Sequence, residues 1–475
     1  MSPESDLPDE AKVTAQTESV GLEDLALDED YALTSEFVDM VIDAADRGDG
    51  ARLAELVEAL HPADVADLMG FLTADYREEI VPHIRPEALA DILSELDTNI
   101  REEVLEIVAP ATLAKALEEL DSDDAADVVD DLDDAKRERV LAAMPAQERT
   151  AIEASLAYED ETAGRLMQRE VALAPQFWTV GQAMDHLSRA GDALPELFFD
   201  LYVVDPAMRP VGATPVSHLL RARRQTLLTE IMEPVTVIPV DMDQEEVAYI
   251  FDKYHLISAP VVEPGGRLVG QITVDDVVGV IQEESEEDML ALANVSDAGR
   301  DASMLGLVRS RLPWLVVNLV SETVAVSAIA IFQNEIAKIV ALAVLLPIIS
   351  SLGNNASVQT LAVAVRSLAA RELNASNTWR VIRREVIAGV ANGLVLSLIM
   401  AAAVIGFYHD WKLALTSALA LMADIVIAAV IGIVAPLALE KLGRDPAVSS
   451  PIIVTFTTDF VGFFALLAIA ALILR

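Results

Sequence analysis

The chain changes hydrophobic texture near residue 300. Beyond that point five long apolar stretches follow one another: Leu312–Phe332, Ile339–Val365, Val386–Tyr408, Leu413–Leu439 and Pro451–Leu474. Each is long enough to cross a hydrocarbon core of roughly 30 Å as a helix. Before that point the apolar positions come in shorter segments. Residues 53–132 repeat with a period of 24, marked by His61-Pro62, Arg85-Pro86 and Ala109-Pro110. Behind each mark the apolar residues align as Val65, Leu89, Leu113; Met69, Leu93, Leu117; and Leu72, Leu96, Leu120. Proline suits a first helical turn and the spacing within each unit is helical. The pattern therefore predicts pairs of short helices stacked into a small solenoid. From about Gly164 the runs become β-like. Leu201–Val204 and Ala259–Val262 are each followed by a turn, a second strand, and a helix at Val216–Arg224 and Val274–Gln282. Two copies of one α/β unit are expected, divided near Leu228.

Polar residues inside the apolar stretches carry the chemistry. Asp459 lies in the last stretch, with Thr455 and Pro451 four and eight residues before it on one helical face. A carboxylate at that depth costs roughly 2.5–3.5 kcal/mol on insertion scales, so it is expected to face a polar cavity or an ion. Asp and Thr oxygens suit a hard cation. In the second stretch Ser351, Asn355 and Gln359 recur every four residues behind Pro347, and Gly353 loosens the same helix. Asp424 and Glu322 are further acids in the fourth and first stretches. Glu322 reads equally as an interface contact or a functional group, and Asp424 equally as structural or functional. Asp424 and Asp459 stand in no recognisable catalytic motif and no His or Ser base is expected beside them, so no enzyme is expected.

Charge divides the chain at the same place. The net charge of −44 comes entirely from the first 300 residues, with 67 acidic against 21 basic residues; the remainder carries 10 against 12. So many carboxylates need cations to screen or bridge them, and they exclude nucleic acid as a partner. The run Asp121–Asp134 is a solvated face or a divalent-cation site. There is no cysteine, which excludes disulfides and thiolate metal sites. Residues 1–30 contain no apolar signal core, so no cleaved leader is expected. Basic residues flank the first stretch (Arg309, Arg311), join the second to the third (Arg366, Arg371, Arg380, Arg383, Arg384) and join the fourth to the fifth (Lys441, Arg444). Five spans put all three groups on one side. The acidic part is then cytoplasmic, and Arg475 lies outside.

The segment from Leu228-Thr-Glu-Ile-Met232 through Ala259-Pro-Val-Val to Val274-Asp-Asp-Val277 resembles a CBS domain, and residues 165–285 resemble a tandem pair. Gly270, Thr273 and Asp276 match the Gly-x-x-Thr-x-x-Asp stretch that holds a nucleotide ribose in some CBS pairs. That resemblance implies possible ATP, or another adenine nucleotide, at the pair.

Over residues 35–475 the chain resembles the MgtE family of magnesium channels or transporters. The marks are Arg311-x-Pro-Trp-Leu315, Pro347…Gly353-x-Asn355…Gln359…Arg366, and Asp445-Pro-Ala…Pro451…Thr455-x-x-x-Asp459. The resemblance implies a multidomain fold: a disordered acidic tail (1–34), an α-helical solenoid (35–163), CBS units at 164–228 and 229–286, a connecting helix (287–310) and a five-helix transmembrane domain (311–475). It implies a homodimer in the lipid of the cytoplasmic membrane, with a pore lined by the second and fifth spans. The transported Mg2+ would meet Asp459, Thr455, Asn355 and Gly353. Regulatory Mg2+, closing the pore when cytosolic Mg2+ is high, would meet Asp91, Asp123 and Asp127 on the solenoid. It would also meet Asp243, Glu245 and Asp276 on the second CBS unit, and Glu284, Glu287 and Asp288 on the connecting helix. The alternative is a membrane sensor that binds divalent ions without conducting them.

Overall fold

The computed structural model describes residues 22–191, 194–195, 197–293, 304–369, 371, 373 and 377–474. The first part of the acidic tail (1–21), residues 294–303 of the expected connecting helix, and Arg475 lie outside the described residues. The chain forms two compact units, Met1–Ile281 and Gln282–Arg475.

In the first unit the 24-residue repeat becomes helix pairs. They are Pro62–Phe71 with Ala74–Ile80, Pro86–Glu95 with Thr98–Ile107, and Pro110–Leu117 with Ser122–Asp130. Each opening proline occupies the first turn, where a missing N–H costs no hydrogen bond. The aligned Val65, Leu89 and Leu113 are all buried in one core, as are Met69, Leu93 and Leu117. The period continues where the sequence shows no proline. Asp134–Ala143 with Ala146–Ser155 forms a fourth pair, capped by Asp133, whose carboxylate accepts from the Ala135 and Lys136 N–H groups. Basic residues finish the helix ends, Arg77 and Lys136 buried and Arg137 half-buried. Arg77 donates to the Met69 carbonyl, Arg137 to that of Val129, and Lys136 to that of Leu105. Cations at helix C-termini complement the helix dipole. The expected disorder up to residue 34 is corrected from Leu22 onward. Leu22–Ala26 is helical, Ala26 is buried, and Leu22, Leu27 and Leu33 pack on the solenoid core.

The α/β half holds two matching three-stranded sheets. β1 (Leu173–Pro175), β2 (Asp200–Val204) and β3 (Pro210–Pro215) form the first; β4 (Ile238–Pro239), β5 (Ser258–Val262) and β6 (Leu268–Thr273) form the second. In each, the first strand runs parallel to the second and the second antiparallel to the third. The register shifts at the equivalent pairs Val203/Val204 and Val261/Val262. Gly212 and Gly270 occupy matching places in β3 and β6. A Cβ on Gly212 would meet the Glu233 carbonyl, and one on Gly270 the Gln168 carbonyl. Both glycines are thus required for the close approach of a neighbouring backbone. Val274–Leu292 is one helix that begins in the second sheet unit and continues past Gln282.

The second unit has five helices long and apolar enough to cross a membrane: Met304–Ile331, Ala341–Ala369, Thr378–Tyr408, Trp411–Lys441 and Pro446–Ile473. They are longer than the apolar stretches predict, because the basic turns at their ends, such as Arg380–Arg384, stay helical. At 28 to 31 residues each, they reach about 42–46 Å at 1.5 Å per residue. Small residues set their approach. A Cβ on Gly389 would meet Ala429, and one on Gly432 would meet the Ser357 carbonyl and Thr360.

Candidate functional site

Proline 347 sits inside the second span. It has no N–H, so the carbonyl of Ala343, four residues earlier, loses its helical donor. Such a group persists at membrane depth only beside protein or a polar cavity, and Ala343 lines a pocket of about 510 Å3. The polar wall of that pocket is Ser350, Ser351 and Asn354 from the second span with Asp459 from the fifth; Ile329 and Phe463 stand among its apolar residues. Asp459 is only 6% exposed. The Ser350 hydroxyl donates to its Oδ1. The Thr455 hydroxyl donates to Asn354 Oδ1 at 3.1 Å, tying the two spans together one turn away. Glu322 of the first span lies within hydrogen-bonding reach of the Asp459 carboxyl. The pocket thus presents a carboxylate, a hydroxyl, an amide and a carbonyl, an all-oxygen set suited to a hard cation.

The other expected pore residues fall differently. Asn355 and Gln359 share an exposed face of the single chain with Ser351, and Asn354 takes the place on the pocket wall that was expected of Asn355. Gly353 is not among the pocket residues. It is buried against Asp424, and a Cβ there would stand 2.6 Å from the Asp424 Cγ. Asp424 is fully buried and neither of its oxygens has a hydrogen-bond partner among the described residues. The expectation of no serine beside these acids is corrected by Ser350, which reaches Asp459 from 109 residues away on another helix. Pro347, Ser350, Ser351 and Asn354 follow i, i+3, i+4, i+7 spacing, so the sequence carries the pocket face as a helical stripe offset by one residue from that through Asn355.

A second group of acids forms in the first unit. Helix Ser122–Asp130 carries Asp123, buried with Oδ1 unpartnered, and Asp124. They face Asp276, which accepts from the Thr273 hydroxyl at 2.5 Å. Burial, then the charge of Asp276, pushes Asp123 well above the usual carboxylate range. The same causes raise Asp124 to about 7. Burial raises Asp276 to about 6 against the lowering effect of Thr273. Asp127 is instead paired with Arg165 at 3.1 Å, which also reaches Asp130 and Asp160. Asp91 lies on an exposed face one turn before Glu95, an acid missed in the sequence, whose charge acts on Asp124. Asp243 caps helix Gln244–Tyr254 by accepting from the Glu245 N–H, and both side chains are exposed.

Within the second unit, burial raises Asp288, and the neighbouring charges of Asp445 and Glu284 add to the shift. Glu287 is on the exposed side of that helix. Asp445, not expected as a site residue, also caps the fifth span by accepting from the Ala447 N–H at 2.7 Å. Among the described residues no three His, Asp or Glu side chains close into a metal cage; the acids form pairs and open clusters.

Three family models match: a divalent cation transporter domain named MgtE at residues 346–469, the MgtE intracellular N domain at 60–161, and a CBS domain at 228–283. The chain is 33% identical to the magnesium transporter MgtE of Enterococcus faecalis over 331 residues, which is 70% of this chain and 73% of that one. It is 32% identical to the magnesium transporter MgtE of Thermus thermophilus over 357 residues, 74% of this chain and 79% of that one. Among solved structures it is similar to the cytosolic domain of the Mg2+ channel MgtE in complex with ATP, with 34% identity, 51% of this chain and 99% of that one covered, and a TM-score of 0.48.

Proposed function

Because this chain belongs to the MgtE family of magnesium transporters, we propose that it conducts Mg2+ across the cytoplasmic membrane past Asp459 and closes when cytosolic Mg2+ binds its acidic soluble part. The observation that carries the pore reading is the pocket itself. A buried carboxylate on one span shares the pocket with serine hydroxyls and an asparagine amide on another. Mg2+ gives up water reluctantly and is commonly held through its waters by one or two carboxylates. Six waters at about 30 Å3 each need about 180 Å3, and the pocket's 510 Å3 leaves room for the hydrated ion.

The exposed polar face Ser351, Asn355 and Gln359 supports a homodimer. Polar groups on a membrane helix need protein or water against them, and a second copy across a two-fold axis would supply both. The basic residues favour a cytoplasmic N-terminus. The cluster of Asp123, Asp124 and Asp276 supports the feedback reading. No ion pair to any of the three occurs among the described residues, and their raised pKa values mean that charge there works against close packing. A divalent cation would reverse the sign of that interaction, so Mg2+ would favour the packed state and shift the population. Gly270 and Asp276 are used internally, by a backbone approach and by the Thr273 hydroxyl. An adenine nucleotide is the ligand that the CBS resemblance implies for the pair.

The test is Mg2+ uptake into proteoliposomes, wild type beside Asp459→Asn, with Mg2+ varied on the cytosolic face. Saturable uptake that is lost in the variant and suppressed in wild type by cytosolic Mg2+ is expected. No uptake by folded wild type at low Mg2+ would favour a non-conducting sensor instead.

A further inference from the structure

The third span, Thr378–Tyr408, opens with basic residues that its helix carries unbroken into the apolar stretch. Arg380, Arg383 and Arg384 follow i, i+3, i+4 spacing and so share one helical face. All three are exposed, and among the described residues none of them forms an ion pair. The opposite face of the helix is packed. Val381 and Ile382 lie against the cluster of Ala364, Ile433 and Leu437. A Cβ on Gly389 or Gly393 would meet side chains of the fourth span. Glu385, the one acid in this helix, stands between Val381 and Gly389 at four-residue spacing, on that packed side.

The arginine face continues into apolar surface. Ile387 and Leu394 follow Arg380 at seven-residue spacing, with Leu398 one turn further, and each of the three is more than half exposed. Leu394 lies ten residues beyond Arg384, about 15 Å at 1.5 Å per residue. That is half of a hydrocarbon core of roughly 30 Å, the depth of one leaflet. Trp379, 73% exposed, stands four residues before Arg383 at the edge of the same face. Tryptophan is enriched at the level of lipid headgroups.

We propose that this face of the third span binds an anionic phospholipid, its phosphate between the three guanidinium groups and its acyl chain along Ile387, Leu394 and Leu398. Arginine presents a planar fork that matches phosphate oxygens. Three such charges on one face, with the helix's only acid turned away, complement a headgroup of net negative charge. A zwitterionic headgroup would bring its own ammonium against them. The charge bias that orients a span counts basic residues and needs no shared face. Arg309 and Arg311 of the first span show the difference, since residues two apart on a helix do not face each other.

The experiment titrates the purified full chain in neutral detergent with phosphatidylglycerol or phosphatidylcholine and counts bound lipid by native mass spectrometry. Wild type is expected to hold phosphatidylglycerol in preference to phosphatidylcholine. The triple variant Arg380→Gln, Arg383→Gln, Arg384→Gln should bind phosphatidylglycerol roughly a hundredfold more weakly, at about fivefold per arginine. Arg366 and Arg371 remain beside it to orient the span. The double variant Arg309→Gln, Arg311→Gln should keep wild-type binding. Equal retention of the two lipids by wild type would overturn the proposal, as would unchanged phosphatidylglycerol binding in the triple variant. An equal loss in the double variant would reduce the effect to general basicity and overturn it too. Displacement of the lipid by millimolar inorganic phosphate would mark a free-phosphate site instead. A change of oligomeric state in the triple variant without added lipid would assign the face to a second copy of the chain. If the triple variant does not assemble, the three single variants decide, and wild-type binding in all of them overturns the proposal.

Discussion

Replacing Gly353 with alanine tests whether the helix packing behind the pocket is as tight as the geometry requires. The added Cβ would stand 2.6 Å from the Asp424 Cγ and 3.0 Å from its Oδ1. Atoms of a buried side chain need roughly 3.5–4.0 Å, so the carboxyl must move by an ångström or more. Asp424 is fully buried, so any movement of its carboxyl must displace packed neighbours. Overpacking of this kind costs about 1–3 kcal/mol. At about 2–4 °C per kcal/mol for a unit of this size, the thermal midpoint in detergent is expected to fall by on the order of 5 °C. Asp424→Ala removes a buried carboxyl with no hydrogen-bond partner, which offsets the cavity it leaves, so alone it is expected to change the midpoint little. The double variant Gly353→Ala with Asp424→Ala should recover most of the loss, because the new methyl occupies space the carboxyl vacates. A double-mutant cycle read by fluorescence-detected size exclusion after heating gives the coupling. Additive losses, or a single variant as stable as wild type, would refute the packing argument.

Two further outcomes follow from the same structure. Asp124 and Asp276 have pKa values raised to about 7 and about 6 from an ordinary 3.8. Their packed arrangement is thus fully favourable below about pH 4 and loses stability as pH rises through those values. Hydrogen exchange in helix Ser122–Asp130, corrected for intrinsic rate, should show less protection at pH 8 than at pH 5, and Mg2+ should restore it mainly at pH 8; an equal Mg2+ effect at both pH values would contradict this. Pro347→Ala returns an N–H donor to the Ala343 carbonyl. It should lower Mg2+ uptake several-fold in proteoliposomes while raising thermal stability, and unchanged uptake would show that the carbonyl takes no part.

Asp459 was legible because a lone charge in an apolar run has few physical excuses. Ser350 was not, since serine is unremarkable in a helix and its partner lies on another span. Only the joint spacing of Pro347, Ser350, Ser351 and Asn354 carries that signal, and the stripe through Asn355 differs from it by one residue. The solenoid period was legible through its prolines and was lost where Asp134 replaces one, although the Asp133 cap does the same work of starting a helix. β1 and β4 escaped notice because three and two residues, each run ending in proline, have no period to read. Gly270 has a packing role that its motif does not reveal: its structural counterpart Gly212 has the same close backbone neighbour without the motif.

The two acidic systems face one electrostatic problem under different conditions. In the first unit, Arg165 lies within ion-pair distance of Asp127, Asp130 and Asp160, and Arg101 pairs with Asp131 at 2.5 Å. Among the described residues no ion pair reaches Asp123, Asp124 or Asp276. That group is largely buried and forms no closed cage, so it should bind divalent ions weakly, in the range where affinity is set by charge count and rigidity. Weak binding is what feedback requires. A sensor responds only near its own dissociation constant, and linkage lets it shift a gate only by its difference in affinity between packed and loosened states. The membrane pocket works under the opposite constraint. Its carboxylates sit in an apolar bundle where each uncompensated charge is costly, so under the proposed function an ion there would be held by depth and by preset oxygen ligands rather than by charge count. On that proposal the same ion would be cargo at one site and signal at the other.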